Sequence, residues 1–352
     1  MTKVLIVEDS LVVREFLTYI LSSDPEIDVI GAAKSGEEAL EFLERKKPDV
    51  ITMDINMPKM DGFEATRIIM ETHPTPIVIV SASWDPKEVE KTFRATEAGA
   101  VAALEKPRGI GHANYENTAR ELVQTVKAMS EVKVVRRWKR NREARAATPG
   151  KMEGKQKLAD IKLVAMGAST GGPPVLQDIL SSLSKDFPVP VLMVQHIAAG
   201  FLPGLADWLT RTTGFPVQIA VHGEDVLPGR GYIAPDDLQM GIKSYYRIAL
   251  DEDNSGNGLR PSISYLFSSV ADAFGENAVG VLLTGMGKDG AKELKLMKEK
   301  GAITIAQDEE SSVIHGMPGE AIRLGATMHV LPPDRIAATL EALTARNKPT
   351  SS

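Results

Sequence analysis

The sequence predicts an α/β protein made of two doubly wound parallel-sheet domains. Three observations carry this expectation. Short β-branched runs alternate with helix-length amphipathic stretches over residues 1–126, and the alternation restarts at about 161 and continues to 345. The runs are predominantly apolar, as strands covered on both faces require. Between the two blocks, residues 127–160 reverse the charge, at +7 against −8 before and −5 after. A length of 352 residues suits two or three domains of roughly 100–200 each. With 43% hydrophobic and 25% charged residues, disordered and fibrous classes are excluded.

In the first block, Val4–Val7, Val29–Ile30, Val50–Met53, Ile77–Val80 and Val101–Leu104 read as five strands. Helical patterns follow each: Leu11–Leu21, Glu37–Arg45, Phe63–Glu71, Pro86–Ala98 and Asn114–Met129. The last one keeps an apolar face to Val132 and then turns basic, with Arg136, Arg137, Lys139, Arg140, Arg142 and Arg145, before Thr148-Pro149-Gly150 stops it. Such a charge run is expected to be a solvated linker rather than a dock for acidic partners. In the second block, Leu163–Met166, Val189–Val194, Val279–Leu283 and Ile303–Ala306 read as strands and Pro173–Leu183 as a helix. Residues 217–250, with Pro-Gly and Asp-Asp turns, read as an antiparallel hairpin insertion in a larger Rossmann-like domain.

Neither acidic block suits nucleic acid, and no short helix-turn-helix precedes a basic recognition helix. The chain has no cysteine, so thiolate metal sites and cysteine nucleophiles are excluded. The opening MTKVLIVEDS enters a strand directly, without the pattern of a signal peptide, and the apolar runs are too short to span a bilayer. A cytoplasmic protein not embedded in membrane is expected.

Ligands of open parallel sheets bind at the carboxyl ends of strands. In the first domain Glu8, Asp9, Asp54, Ser81 and Lys106 all fall there. Clustered carboxylates without histidine or cysteine suit Mg²⁺. Asp54 is the expected phosphoryl acceptor, Lys106 the neutralising cation, and Ser81 a hydroxyl for a bound phosphoryl oxygen. With Met57-Pro58 and Met60-Asp61-Gly62 following Asp54, residues 1–126 resemble the receiver domain of response regulators. The resemblance implies phosphorylation of Asp54 and Mg²⁺ binding by Glu8, Asp9, Asp54 and the backbone carbonyl of Asn56. Such receivers usually carry an aromatic residue three before the lysine; Ala103 stands here, so the signal is expected to use a different packing change.

In the second domain Gly167-Ala168-Ser169-Thr170-Gly171 matches G-x-S-x-G between a strand and a helix. The turn can present Ser169 as a nucleophile with the Thr170 N–H as oxyanion donor, or it can cradle a phosphate. Among six histidines, His196 follows a strand and emerges at the same sheet edge as Ser169. His73 and His112 belong to the first domain, His222 to the hairpin region, and His329 is expected in the core or at a helix edge; His315 is less well placed. Asp289, after the strand Val279–Leu283, is the expected orienting carboxylate, and an N-cap role for the helix after it competes with that reading. The order Ser-His-Asp argues against the usual α/β-hydrolase topology.

GASTGG, VQHI with Gly200-Phe201 after it, YIAP, LLTGMGKDG and QDEESSVIHGMPGEA resemble the catalytic domain of chemotaxis protein-glutamate methylesterases. The order receiver, linker, catalytic domain is also that family's. The resemblance implies a Ser169–His196–Asp289 triad that hydrolyses glutamate methyl esters on the cytoplasmic helices of chemoreceptors, without a cofactor for that step. It implies a chemotaxis histidine kinase as phosphodonor, and many members also deamidate receptor glutamines. In the resting state the receiver is expected to cover the catalytic face until Asp54 is phosphorylated. Gln239, Ser264, Trp208 and His222 depart from the family pattern, and none is expected to touch the three residues. The competing reading is a receiver-controlled nucleotide-binding or scaffolding module without esterase activity.

Overall fold

The computed structural model describes residues 1–81, 94–96, 98–112, 115–132, 134, 160–198, 200–243, 246–252 and 258–345. It divides into two compact units, Met1–Glu143 and Ala144–Ser352. Most of the expected helix Pro86–Ala98, the basic run Arg136–Arg145 and the Thr148–Gly150 stop lie outside the described residues.

The first unit holds five parallel strands: β1 (Thr2–Val7), β2 (Ile27–Ala33), β3 (Val50–Met53), β4 (Ile77–Ser81) and β5 (Ala102–Glu105), in the order β2-β1-β3-β4-β5. Val4–Val7 and all of β3 are buried, as strands sandwiched between helices must be. Helices α1 (Leu11–Ser22) and α4 (Tyr115–Ser130) pack together, as do α2 (Gly36–Leu43) and α3 (Gly62–Thr72). Ser10, Ser35 and Asp61 cap α1, α2 and α3 by accepting the N–H three residues on, which ends each strand-to-helix loop at a fixed residue. The order reverses at β1 and β3, placing the crevice of the sheet there.

The second unit has a seven-stranded parallel sheet in the order β14-β13-β12-β6-β7-β9-β8. Its strands are β6 (Leu163–Ala168), β7 (Val191–Gln195), β8 (Val217–Ile219), β9 (Gly231–Ile233), β12 (Ala278–Leu282), β13 (Ile303–Gln307) and β14 (His329–Leu331). Helices α5 (Gly172–Ser182), α6 (Leu202–Thr213) and α10 (Pro333–Thr344) form one layer. Helices α7 (Ile263–Phe274), α8 (Ala291–Glu299) and α9 (Met317–Arg323) form the other. Strands β6, β7 and β12 are wholly buried between them, and the reversal of order falls at β6 and β12.

Two expectations are refined. Within 217–250 only β10 (Gln239–Lys243) and β11 (Arg247–Asp251) form an antiparallel hairpin; β8 and β9 run parallel and extend the main sheet at its edge. His329 is neither a core nor a helix-edge residue: it begins the edge strand β14 and is half-buried.

Candidate functional site

Two clusters stand at the carboxyl ends of the two sheets. In the first unit, Val7 of β1 pairs with Met53 of β3, so the residues that leave these strands, Glu8 and Asp54, emerge side by side. Carboxylate oxygens of Glu8, Asp9 and Asp54 lie within 4.8 Å of one another. Lys106, just past β5, brings Nζ to 2.8 Å from Glu8 Oε2 and 3.0 Å from Asp54 Oδ1. Burial, together with the Asp54 charge, pushes Glu8 above the usual carboxylate range against the pull of Lys106. Burial alone would lower Lys106, but the Asp54 and Glu8 charges outweigh it and raise its pKa. The Lys106 N–H donates to the Ser81 carbonyl at 2.8 Å, which fixes β5 against the end of β4. Ser81 Oγ is buried and has no hydrogen-bond partner among the described residues. Gly62 is needed at the start of α3, because a Cβ there would lie 2.1 Å from the Asp54 carbonyl oxygen. Three carboxylates, two of which share one ammonium, with no nitrogen or sulfur donor among them, fit a hard divalent cation. Asn56 is exposed in the loop just past Asp54.

In the second unit, β6 and β7 pair in register from Val164–Val191 to Ala168–Gln195, so Ser169 and His196 leave adjacent strands at one level. The His196 N–H donates to the Ala168 carbonyl at 2.9 Å. The serine turn is closed by Ser169 N–H to Thr284 O (3.0 Å) and Gly172 N–H to Ser169 O (2.8 Å), neither of which uses the Thr170 N–H. Gly171 has φ +77°, and a Cβ on it would lie 2.6 Å from Val313, so this turn admits only glycine.

His196 Nε2 is 3.1 Å from Asp289 Oδ2. Asp289 does not cap its own helix: Gly290, in the left-handed region, occupies that position of α8. The Asp289 carboxylate instead meets the N-terminus of α7. Oδ2 accepts the Ile263 N–H (2.7 Å), and Oδ1 accepts Ser262 Oγ (3.0 Å) and the Ser264 N–H (3.1 Å). Burial alone would raise its pKa, but bonds from His196 and Ser264, the His196 charge and the Ile263 N–H outweigh this and hold it at about 2. Asp289 is thus a fixed anion beside one edge of the His196 ring, and the ring's Nδ1 is the nitrogen left for a proton donor.

The expectation that no departure from the family pattern touches these residues is corrected by Ser264. Its N–H bonds Asp289, while its Oγ accepts from the Gly290 N–H at 3.0 Å and donates to Glu293 Oε2 at 2.7 Å. Its short side chain at the second position of α7 ties that helix to α8. Gln239 acts one step further away: Oε1 accepts the Ser262 N–H and Nε2 donates to the Leu259 carbonyl, each at 2.8 Å. Trp208 is buried on α6, and His222 Nδ1 accepts the Leu250 N–H at 3.1 Å, both among other contacts. The sequence reading also passed over Gln195, Ser262 and Thr284. For Gln195 and Ser262 a signal was present: a polar residue closing an apolar strand run, and a serine ahead of an apolar helical pattern. His315 bridges Gly285, and its Nδ1 lies 3.4 Å from Ser312 Oγ.

Residues 164–340 match the family model of the CheB methylesterase, and residues 4–112 match that of the response regulator receiver domain. A protein-glutamate methylesterase/protein-glutamine glutaminase of Syntrophus aciditrophicus is 58% identical over 347 residues, which is 97% of this chain and 98% of the relative. A namesake from Nitrosospira multiformis is 58% identical over 346 residues, 98% of each chain. The crystal structure of the Thermotoga maritima CheB methylesterase catalytic domain is 39% identical, with a TM-score of 0.51, over 52% of this chain and 98% of that one. With a receiver domain ahead of a methylesterase domain and such identity over nearly its whole length, the chain belongs to the CheB methylesterase family.

Proposed function

We propose that this protein is a phosphorylation-activated protein-glutamate methylesterase that also acts as a protein-glutamine glutaminase, with Ser169, His196 and Asp289 as its triad. The observation that carries the assignment of residues is the His196–Asp289 contact at 3.1 Å, at the end of the strand paired with the one that leads into Ser169. In this reading Ser169 Oγ attacks the ester carbonyl of a chemoreceptor glutamate methyl ester. His196 takes the serine proton at Nδ1, and Asp289 fixes the ring and balances the imidazolium. The carbonyl oxygen becomes an oxyanion that the Thr170 N–H receives at the start of α5. As the oxyanion collapses and the C–O bond to the methoxy group breaks, His196 gives its proton to that oxygen and methanol leaves. His196 then takes a proton from water, which attacks the acyl-enzyme, and returns it to Ser169 Oγ as the glutamate is released. Glutamine would lose ammonia by the same route.

The partners in this reading are cytoplasmic helices of membrane-bound chemoreceptors and a chemotaxis histidine kinase, which would place the enzyme in the cytoplasm. No helix among the described residues is long and apolar enough to cross a membrane. Asp54 is the acceptor of the phosphoryl group, with Lys106 and the unpartnered Ser81 hydroxyl ready for its oxygens. Glu8, Asp9, Asp54 and the Asn56 carbonyl would hold Mg²⁺, which when bound offsets phosphoryl negative charge. The domain division is residues 1–126, the basic linker 127–160 and the catalytic part 161–345. A phosphate-cradling scaffold is disfavoured, since it gives the buried Asp289 and its contact with His196 no task.

The test is methanol release from methylated chemoreceptor membranes. Ser169→Ala is expected to abolish release with an unfolding midpoint within a few degrees of the parent; release near the parent rate would remove Ser169 from the mechanism.

A further inference from the structure

Gln195 closes β7 immediately before His196, and its side chain turns back under the serine turn. It is 2% exposed. Its Nε2 donates to the Ser169 carbonyl at 2.9 Å and to the His196 carbonyl at 2.7 Å, so both amide hydrogens are spent on the backbones of the two residues that must meet for reaction. The Ser169 carbonyl also accepts the Gly172 N–H at 2.8 Å. This oxygen and the Thr170 N–H belong to one planar trans peptide and point in opposite directions. Holding the oxygen from two sides therefore aims the N–H out of the turn. The next peptide is held as well, because Thr284 Oγ1 donates to the Thr170 carbonyl at 3.0 Å. Gly172 leaves room for this amide: a Cβ there would fall 2.1 Å from Gln195 Oε1.

We infer that Gln195 is a positioning residue for the reaction, which fixes the Ser169–Thr170 peptide so that the Thr170 N–H meets the developing oxyanion and ties His196 to the same frame. The inference rests on the reading of Ser169 as the nucleophile and Thr170 as the oxyanion donor. A donor aimed at the transition state acts on turnover more than on substrate binding.

The test compares the full chain with its Gln195→Met variant, which keeps the length of the side chain and removes both donors. Both are activated with the same phosphodonor. The expected result is a kcat for methanol release lower by roughly 30- to 300-fold, near the loss of one oxyanion donor, with KM within about twofold. The acid limb of the pH profile should stay in place, because His196 keeps its contact with Asp289. Labelling of Ser169 by a fluorophosphonate, which needs no receptor, should slow by a similar factor. A folded Gln195→Met variant with kcat and labelling within threefold of the parent overturns the inference, as does a loss carried by KM alone. Where the methionine variant does not fold, Gln195→Glu is read in its place, since it keeps the shape but puts an oxygen where the donor nitrogen stood. Parent protein that neither releases methanol nor labels at Ser169 overturns the wider reading instead, so the two failures are told apart.

Discussion

Asp289 accepts from three donors, Ser262 Oγ and the N–H groups of Ile263 and Ser264, and His196 Nε2 lies 3.1 Å away. An anion suits this setting and an amide does not, because one of its two ends would set NH₂ against N–H. Asp289→Asn should therefore lower kcat by roughly 10³–10⁴-fold, the order seen when a triad aspartate is neutralised, while Ser169 stays chemically intact. Steady-state methanol release reads this loss, and a drop of less than tenfold would assign the orienting role elsewhere. The same residue fixes a pH dependence of stability. Its pKa falls from 3.8 in the unfolded chain to about 2 in the folded one, so its contribution is in place above about pH 4 and is lost as pH falls toward 2. The shift corresponds to about 2 kcal/mol. Urea unfolding between pH 5 and pH 2 should lose that much of its pH dependence in Asp289→Asn; an unchanged slope would show that the carboxylate is not stabilised by its donors.

At the scale of elements, the start of α5 and the start of α7 do most to build the site, the one carrying the serine turn and the other holding Asp289. Gly172→Ala would put its Cβ 2.1 Å from Gln195 Oε1 and 2.8 Å from the Ala168 Cβ. It is expected to cost about 1–3 kcal/mol in denaturant unfolding, with a loss of activity beyond what the unfolded fraction explains. Unchanged stability would mean that Gln195 can leave its place without penalty. Ser262→Ala removes both the cap of α7 and a donor to Asp289, and should cost about 1–2 kcal/mol by the same measurement. Most elements were legible in the sequence, because buried parallel strands such as β1, with Val4–Val7, write their burial as unbroken apolar runs. Strand direction was not: Val217–Ile219 and Gly231–Ile233 are three residues each, and only the pairing of β9 with β7, and of β8 with β9, makes them parallel. Ser169, His196 and Asp289 could be named because each follows a strand at one edge of the sheet. Their supports could not, since Asp289 meets α7 across 25–27 residues and Ser264 and Gln239 act through partners that no local pattern marks. The competition between N-cap and orienting carboxylate was real in sequence terms; Gly290 resolves it by taking the cap position of α8.

At the scale of the molecule, two sites of unlike chemistry sit on two separately cored sheets, each at the point where strand order reverses. In the proposed reading the first handles a phosphoryl group with carboxylates and a lysine. The second, in the same reading, handles an acyl group with a serine, a histidine and a buried aspartate. The two clusters share no residue, so each chemistry can be removed while the other stays. Asp54→Ala takes away the acceptor and leaves α5, α7 and the contacts of α7 with Asp289 as they are. It is expected to keep the basal rate of methanol release within about twofold and to lose all stimulation by a small-molecule phosphodonor with Mg²⁺. Ser169→Ala is the mirror case: it should take up one phosphoryl group at the parent's rate and release no methanol. The added phosphoryl carries a charge of about −1.5 to −2 beside Lys106 and Ser81, so a large electrostatic change enters at one defined place. Parallel assays of phosphoryl uptake and methanol release on both variants read the two outcomes together. Stimulation that persists in Asp54→Ala would place the acceptor at another residue, and phosphoryl uptake lost in Ser169→Ala would mean that the two chemistries are not separable.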